Sequence, residues 1–534
     1  MSNRYSIRVS AEAQNHKWVD LLSILEGLLP VNFHFSAERR SDIKGEILAE
    51  GSVGVEQGLE AGITSLEIPP EGTVSRENRL IKIAVQFTED LDVAFPFRGR
   101  SLRTNVLAEP VALALRPGER SLANCEQGPV WACSERAGVK HFRSAFPLPV
   151  VPSQCALQDV LGGHRFLEMV PLLSWFRLMG AIPSYHGLPL SACFVFDDPN
   201  LHWPSYGFVD YRKLVVQAER ENYHVAFATI PLDTWFTHRE TAGIFRQHPD
   251  RLSLAVHGNN HTKRELGRTY SQTERSFLLR QAIQRIERLE SRTGLAVSRV
   301  MVPPHGACSE EMLAALPLHG FESACISHGS LRAHNSTRAW TKNIGYLPSE
   351  FIKGCPVLPR WGLTGDTTRN SILLAAFLHQ AIILRGHQKD LRDGIELLDG
   401  LAQFVNGLGP VNWSNLTELS RSNQQWRTAG VTLRSKPFAR KVDCSLPTEM
   451  VECVVDSSVG ASSESWKIQG SNGSEVMTSK GEYVSFPEPM DGGTSVEIVS
   501  SGQAPVSKVS ERTPAGAFFR RLITESRDRF FSSL

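Results

Sequence analysis

The sequence predicts an α/β protein built on a parallel sheet, in an open or barrel form, between an α/β accessory region and a small β-sandwich. Three observations predict it. From Ser191 to about Leu419, apolar strands alternate with amphipathic helices, the pattern of parallel strands joined by crossover helices. Residues 1–188 instead mix short β-branched runs with a few helices. Beyond Trp426, short strand candidates are spaced by Ser, Gly and Asn turns, the texture of a sandwich. A chain of 534 residues is also too long for one ordinary core and suggests about three units. The divisions read from texture are 1–188, 189–425, 426–510 and a helical tail over 511–534.

In the first region, Tyr5–Val9, Val31–Phe35, Glu46–Ala49 and Ile81–Phe87 read as strands from their β-branched and aromatic content. His16–Leu29 reads as a helix, because Trp18, Leu21, Leu22, Leu25 and Leu28 form one apolar stripe. Glycine-rich breaks run from Gly51 to Gly62 and recur at Gly72. The region faintly resembles degenerate amidotransferase-like domains, but it carries no Cys-His-Glu arrangement at a nucleophile elbow.

The middle region opens with Cys193-Phe194-Val195-Phe196, apolar throughout as a strand covered on both faces should be. Gly207–Tyr223 follows as a helix, with His224–Ile230 and Arg251–Val256 as the next strands. Ser271–Arg292 is the clearest helix. Ser271 can cap it with Glu274 three residues on, and Leu278, Ala282, Ile286 and Leu289 line one face. Strand Arg299–Val302, helix Ser309–Leu316, strand Ser323–Ile326, strand Ala381–Leu384 and helix Leu391–Val405 complete the alternation. In the third region the strand candidates are Val431–Leu433, Lys441–Cys444, Glu452–Val455, Trp466–Gln469 and Ser495–Val499.

Four polar motifs fall at strand ends, where the loops of parallel α/β folds form the ligand face. Asp197-Asp198 follows the first strand. Adjacent carboxylates repel and need a cation or donor between them, although a helix-capping pair is as good a reading of the motif alone. His257-Gly-Asn-Asn-His261 follows the third strand; histidines at i and i+4 can converge on one ion, against the plainer reading of solvent-facing side chains. Two histidines and a carboxylate suit a first-row divalent metal, with positions left for water and substrate. Pro303-Pro304-His305-Gly306 makes a rigid turn able to wall a groove, and Arg385-Gly386-His387 delivers a histidine from an apolar strand. Each motif alone is ambiguous; four in this order at successive strand ends are not.

That order resembles the polysaccharide deacetylase family of carbohydrate esterases, the nodulation-type chitooligosaccharide deacetylases among them. The family carries an Asp-Asp motif, a His-x-x-x-His motif, an Arg-x-Pro-Tyr-type loop and a Leu-x-His motif. The likeness spans the middle region and extends to Val411-Asn-Trp-Ser-Asn-Leu-Thr-Glu-Leu419, which looks like the family's closing segment. The resemblance implies a distorted (β/α) barrel of about seven strands. It implies Asp197 as general base, Asp198, His257 and His261 as metal ligands and His387 as general acid. The oxyanion and substrate would be met by Pro304, His305 and Gly306. The metal implied is zinc, with cobalt, manganese or nickel as alternatives. Three departures mark a divergent branch. Val-Phe-Asp-Asp-Pro-Asn stands where the family has Thr-Phe-Asp-Asp-Gly-Pro. Val302-Pro-Pro-His305 replaces the loop whose Arg steadies the catalytic Asp and whose Tyr backbone helps hold the oxyanion. An extra glycine precedes the last histidine.

The function expected is removal of an N-acetyl group from an amino sugar in a glycan or glycoconjugate. The alternatives are an amide hydrolase opening a cyclic amide or imide, and a carbohydrate-binding or assembly protein with a retired site. A net charge of +1 gives no electrostatic case for nucleic acid or an anionic membrane. No apolar run approaches the roughly 18 residues of a membrane span, and no signal-peptide pattern opens the chain. Nine scattered cysteines without a C-x-x-C pair read as buried fillers in a reduced, cytoplasmic protein; this reading is favoured even for Cys308, three residues after His305. The tail Ala515–Leu534 carries Phe518, Phe519, Leu522 and Ile523 beside several arginines. It offers a contact to a membrane surface or a protein, with docking on its own chain or a sister chain favoured. A homo-oligomer is left open.

Overall fold

In a computed structural model of the chain, two compact units form. The structure describes all residues except 1–3, 11–17, 37–39, 51–61, 70–80, 107–110, 152–155, 162–165, 181–189, 337–343, 366, 447, 457–464, 472, 474, 480, 501–514 and 534. The glycine-rich breaks over 51–61 and Gly72, and the divisions placed at 188 and 510, lie outside the described residues.

The first unit comprises Met1–Ser184 with Ala339–Tyr346 and Arg369–Phe377. Its nine-stranded sheet is parallel on one side and antiparallel on the other. The parallel side runs Val31–Phe35, Tyr5–Val9, Ile43–Ala49, Thr64–Ile68 and Val139–Ser144. The helix expected from the Trp18 to Leu28 stripe spans Val19–Leu28 and buries Leu21, Leu22, Ile24 and Leu25. In the sheet, the buried polar residues Ser65, Glu67 and His141 are bonded to one another, and Glu67 is paired with the partly exposed Arg116.

The second unit carries the candidate site. Its main strands are β1 (Leu190–Asp197), β2 (Val225–Thr229), β3 (Leu252–Val256), β4 (Val297–Met301), β5 (Ser323–Cys325), β6 (Cys355–Leu358) and β7 (Ile382–Gly386). They are mutually parallel, in the order β6-β5-β4-β3-β2-β1-β7. Short strands Glu350–Ile352 and Trp361–Gly362 flank the two ends of this path, and Val411–Trp413 pairs with β1. The sheet curls into a half-barrel. One face of the strands supplies a core of small residues, Cys193, Val195, Ala226, Ala228, Ala255 and Val300. Leu416 and Leu419 of helix Leu416–Arg421 join that core, so this helix packs on the same face of the sheet. The opposite face carries Phe194, Phe196 and Phe227, also fully buried, which explains why β1 is apolar throughout.

Helix α1 (Tyr211–Glu221) begins later than its sequence pattern suggested. Gly207, at φ 55°, turns a small hairpin of Ser205–Tyr206 with Val209–Asp210, and the Asp210 side chain then caps the helix. Helix α2 (Gln272–Thr293) has the expected capping box of Ser271 and Glu274 and ends on Gly294 in the left-handed conformation. Beyond residue 423 come two four-stranded sheets, with Leu433, Val442, Cys453, Trp466, Ile468, Val496 and Ile498 in one core. Helix α3 (Ala515–Ser533) closes the chain and packs Ala517 on Ile230 and Leu232. No helix among the described residues is long and apolar enough to cross a membrane.

Candidate active site

The motif residues stand where the parallel strands end. Asp197 is the last residue of β1, hydrogen-bonded in register beside Ala228 of β2, and Asp198 turns away with φ 85°. A non-glycine residue in that region is strained, so the turn that separates the two carboxylates is bought elsewhere in the fold. After β3, Gly258 (φ 64°) begins a tight loop that ends at His261 (φ 51°). Gly258 is required there, because a Cβ would lie 2.6 Å from both Glu265 Oε2 and the Pro304 ring. Glu265 is buried and accepts from the backbone N–H groups of Asn259 at 2.8 Å, Asn260 at 2.8 Å and His261 at 3.2 Å. Arg285 of α2 donates to the side-chain oxygens of Asn259 and Asn260 at 2.6 and 2.9 Å. A buried carboxylate and a buried guanidinium thus fix the loop from two sides.

Asp198, His257 and His261 converge, each offering one ligand atom within 4.8 Å of the others. Asp198 Oδ1 lies 2.9 Å from His261 Nε2 and 3.6 Å from His257 Nε2, and it is a buried oxygen that makes no hydrogen bond. His257 Nδ1 lies 2.8 Å from the carbonyl of Val302, which accepts a hydrogen bond from the ring N–H and so turns Nε2 toward Asp198. Two imidazole nitrogens and an unsatisfied carboxylate oxygen aimed at one point are the donor set of a first-row divalent ion. Burial opposes ionisation of Asp198, but the two imidazoles outweigh it and hold its carboxyl well below the usual range.

Asp197 is buried and pairs with Arg360, Nη1 to Oδ1 at 2.8 Å. Burial would raise its pKa, yet the Arg360 guanidinium, with His257 behind it, keeps it lowered. Sequence reasoning missed Arg360. It follows β6 and Pro359, so it too stands at a strand end. The cation beside Asp197 thus comes from the end of another strand and not from the Pro303 to Gly306 loop.

The Pro303 to Gly306 loop is a 3-10 turn with His305 at φ 57°. His305 lies with its ring centroid 4.9 Å from that of His261. Burial, then the neighbouring histidine charges, lower its pKa, which favours the neutral ring. Of the three loop residues expected at the oxyanion, Pro304 has no N–H. The Gly306 N–H donates to Pro303 at 3.1 Å. The His305 backbone and imidazole are then the loop's remaining donors. Gly306 has its own reason: a Cβ there would meet Ser330 at 2.8 Å.

His387 is exposed just beyond β7, close enough to Asp197 for its charge to act there. Asp390, three residues on, is bonded to it through the main chain of both residues. Its carboxylate accepts from the His387 N–H at 2.8 Å, while the ring accepts from the Asp390 N–H. The extra glycine before it, Gly386, sits where a Cβ would crowd Leu363 at 3.0 Å and Asp390 at 3.1 Å. Cys308 is fully buried, and burial pushes its thiol well up, which is the behaviour of a filler.

No family model matches the chain, and no curated protein does. Solved structures similar to it include Agd3, a carbohydrate deacetylase, at 11% identity over 91% of this chain and 99% of that one, with a TM-score of 0.49. A family 4 carbohydrate esterase from Streptomyces lividans in complex with acetate matches 44% of this chain and 94% of its own, at 11% identity and a TM-score of 0.27. Peptidoglycan deacetylase PdaC from Bacillus subtilis matches 43% and 90%, at 13% identity and a TM-score of 0.24.

Proposed function

We propose that the chain is a metal-dependent hydrolase that removes an N-acetyl group from an amino sugar in a glycan or glycoconjugate. The observation that carries this reading is the convergence of Asp198, His257 and His261 beside a second, ion-paired carboxylate, Asp197. When bound, a divalent ion (zinc, or else cobalt, manganese or nickel) supplies Lewis acidity and makes water easier to deprotonate. The protein's own groups do the rest. Asp197, held ionised by Arg360, accepts the proton of the attacking water. The backbone N–H or neutral imidazole of His305 donates to the acetyl oxygen as negative charge develops on it. His387 hands a proton to the departing amine nitrogen.

In this reading the curled sheet is the distorted (β/α) barrel of a deacetylase spanning 189–425, and the two sheets formed by strands between Gln424 and Ser500 are an appended β-sandwich, the unit expected over 426–510. Residues 1–188 are an accessory region that helps select the substrate. The location is cytoplasmic.

The test is metal content. Wild-type protein is expected to carry about one equivalent of zinc or a similar ion, and His257→Ala and His261→Ala are each expected to lose it. Loaded wild type should then release acetate from N-acetylated sugars. A wild-type protein that cannot be loaded sinks the hydrolase and leaves the binding or assembly role. A loaded protein active only on cyclic amides replaces the substrate class alone.

A further inference from the structure

The C-terminal helix α3 lies against the loop that carries His261. Its buried face repeats at i, i+4: Ala517 packs on Ile230 and Leu232, and Arg521 pairs with Asp233 at 2.6 Å, both charges almost fully buried. One turn on, Glu525 lies 3.0 Å from His202 Nδ1, while His202 Nε2 lies 2.7 Å from the carbonyl of Asp233. Phe518 meets Trp235 edge to face at 5.9 Å. Asp233 and Trp235 belong to the 3-10 turn Pro231–Trp235 that follows β2. That turn is itself fastened to the ligand loop, because the Leu232 N–H donates to the carbonyl of Asn259 at 2.9 Å.

Arg520 makes the direct connection. Its Nη2 donates to the carbonyl of Asn260 at 3.3 Å and to that of His261. The loop is therefore gripped on both polar edges: its N–H groups by Glu265, its carbonyls by Leu232 and Arg520. His261 needs such a grip, since its left-handed φ of 51° is disfavoured for a residue with a Cβ.

We infer that α3 is a clamp that holds the His261 loop in its metal-binding conformation, with Arg520 as the positioning residue. Its side chain does not touch the ion position; it fixes the backbone from which one ligand projects. The inference rests on the reading of Asp198, His257 and His261 as ligands. Partners that orient a ligand are typically worth about 10- to 100-fold in metal affinity.

The experiment uses the full chain. Zinc affinity is measured by competition with a chromophoric chelator for wild type, Arg520→Ala, Arg520→Lys and Phe519→Ser. Phe519 is exposed on the same helix and serves as the control. Expected is a loss of about 10- to 100-fold for Arg520→Ala, partial recovery for Arg520→Lys and wild-type affinity for Phe519→Ser. In metal-free protein, the amides of Asn259 to His261 should exchange hydrogen faster in Arg520→Ala, with amides of the two C-terminal sheets unchanged. Should Arg520→Ala fail to fold, Arg520→Lys carries the comparison, since it keeps the charge but gives up the planar guanidinium that presents Nη2 to both carbonyls. Wild-type affinity and wild-type loop exchange in the Arg520 variants overturn the clamp alone. Wild type that binds no zinc overturns the hydrolase reading and the clamp with it.

Discussion

Asp197 holds a negative charge in a place where burial alone would neutralise it, and Arg360 is the group that reverses the balance. Replacing Arg360 by Met leaves a buried carboxylate without its cation, a change that typically costs about 3–5 kcal/mol. The sign for activity follows directly. The arginine lowers the pKa of Asp197, so its loss raises it, and the base form then requires a higher pH. The acid limb of kcat/KM in Arg360→Met should move to higher pH, with Arg360→Lys in between; an unmoved limb would mean that Asp197 is not the base. Most of the site was legible in the sequence because its residues sit within a few positions of an apolar strand. Asp197 and Asp198 end β1, His257 and His261 follow β3, and local spacing suffices to suggest their convergence. Arg360 was not legible. Its strand is four residues long, contains Pro356 and is followed by Pro359, so it does not read as a strand, and its partner is 163 residues away. Glu265 escaped for another reason: a carboxylate that serves backbone N–H groups leaves no spacing signature.

At the scale of elements, the docking of α3 is pH-sensitive. Both nitrogens of His202 face acceptors, Glu525 and the Asp233 carbonyl, which suits the doubly protonated ring. Burial opposes that charge, but Glu525 and the carbonyl outweigh it and raise the pKa. A raised histidine contributes stability that is full below the unfolded value of about 6.5 and is lost as pH rises through the folded value. Glu525→Gln should therefore destabilise the protein by roughly 1.5–3 kcal/mol near pH 6 and by much less near pH 8.5. Denaturant titrations of the two proteins at both values check this, and an equal difference at both would remove His202 from the account. Helices with a clear stripe and cap were legible, α2 above all. The start of α1 was misread: Gly207 to Asp210, poor helix formers, turn a hairpin, and the helix begins only after its cap at Asp210. In the two C-terminal sheets, Gln424–Ala429, Glu475–Ser479 and Tyr483–Met490 were missed. The first two expose most of their residues at least partly, so their sequences lack the apolar alternation that marks a strand.

Over the whole second unit, the interior of the half-barrel and the layer around it bury titratable groups that play no part in the site, and these set its response to acid. His224, fully buried beneath β2, and His328, whose Nε2 is buried without a hydrogen bond, are both lowered by burial from 6.5 to about 4. The unfolded chain takes up their protons first as pH falls. Each therefore contributes stability that is present above about 6.5 and is lost as pH drops toward about 4, on the order of 3 kcal/mol apiece. Asp197 and Asp198, whose pKa values are lowered, lose their contribution only below the unfolded carboxylate value of about 3.9, so the histidines act first. Two such losses are comparable with the roughly 5–15 kcal/mol that holds a domain together. The second unit should therefore weaken steeply between pH 6.5 and 4, before any carboxylate of the site is protonated. His328→Leu puts an apolar side chain of similar reach in its place and removes one of the two titrating groups. Its denaturation midpoint should fall less than that of wild type across this interval, by about half if the two histidines contribute alike. Parallel curves for the two proteins would show that His328 is not titrating, and that acid attacks the molecule elsewhere.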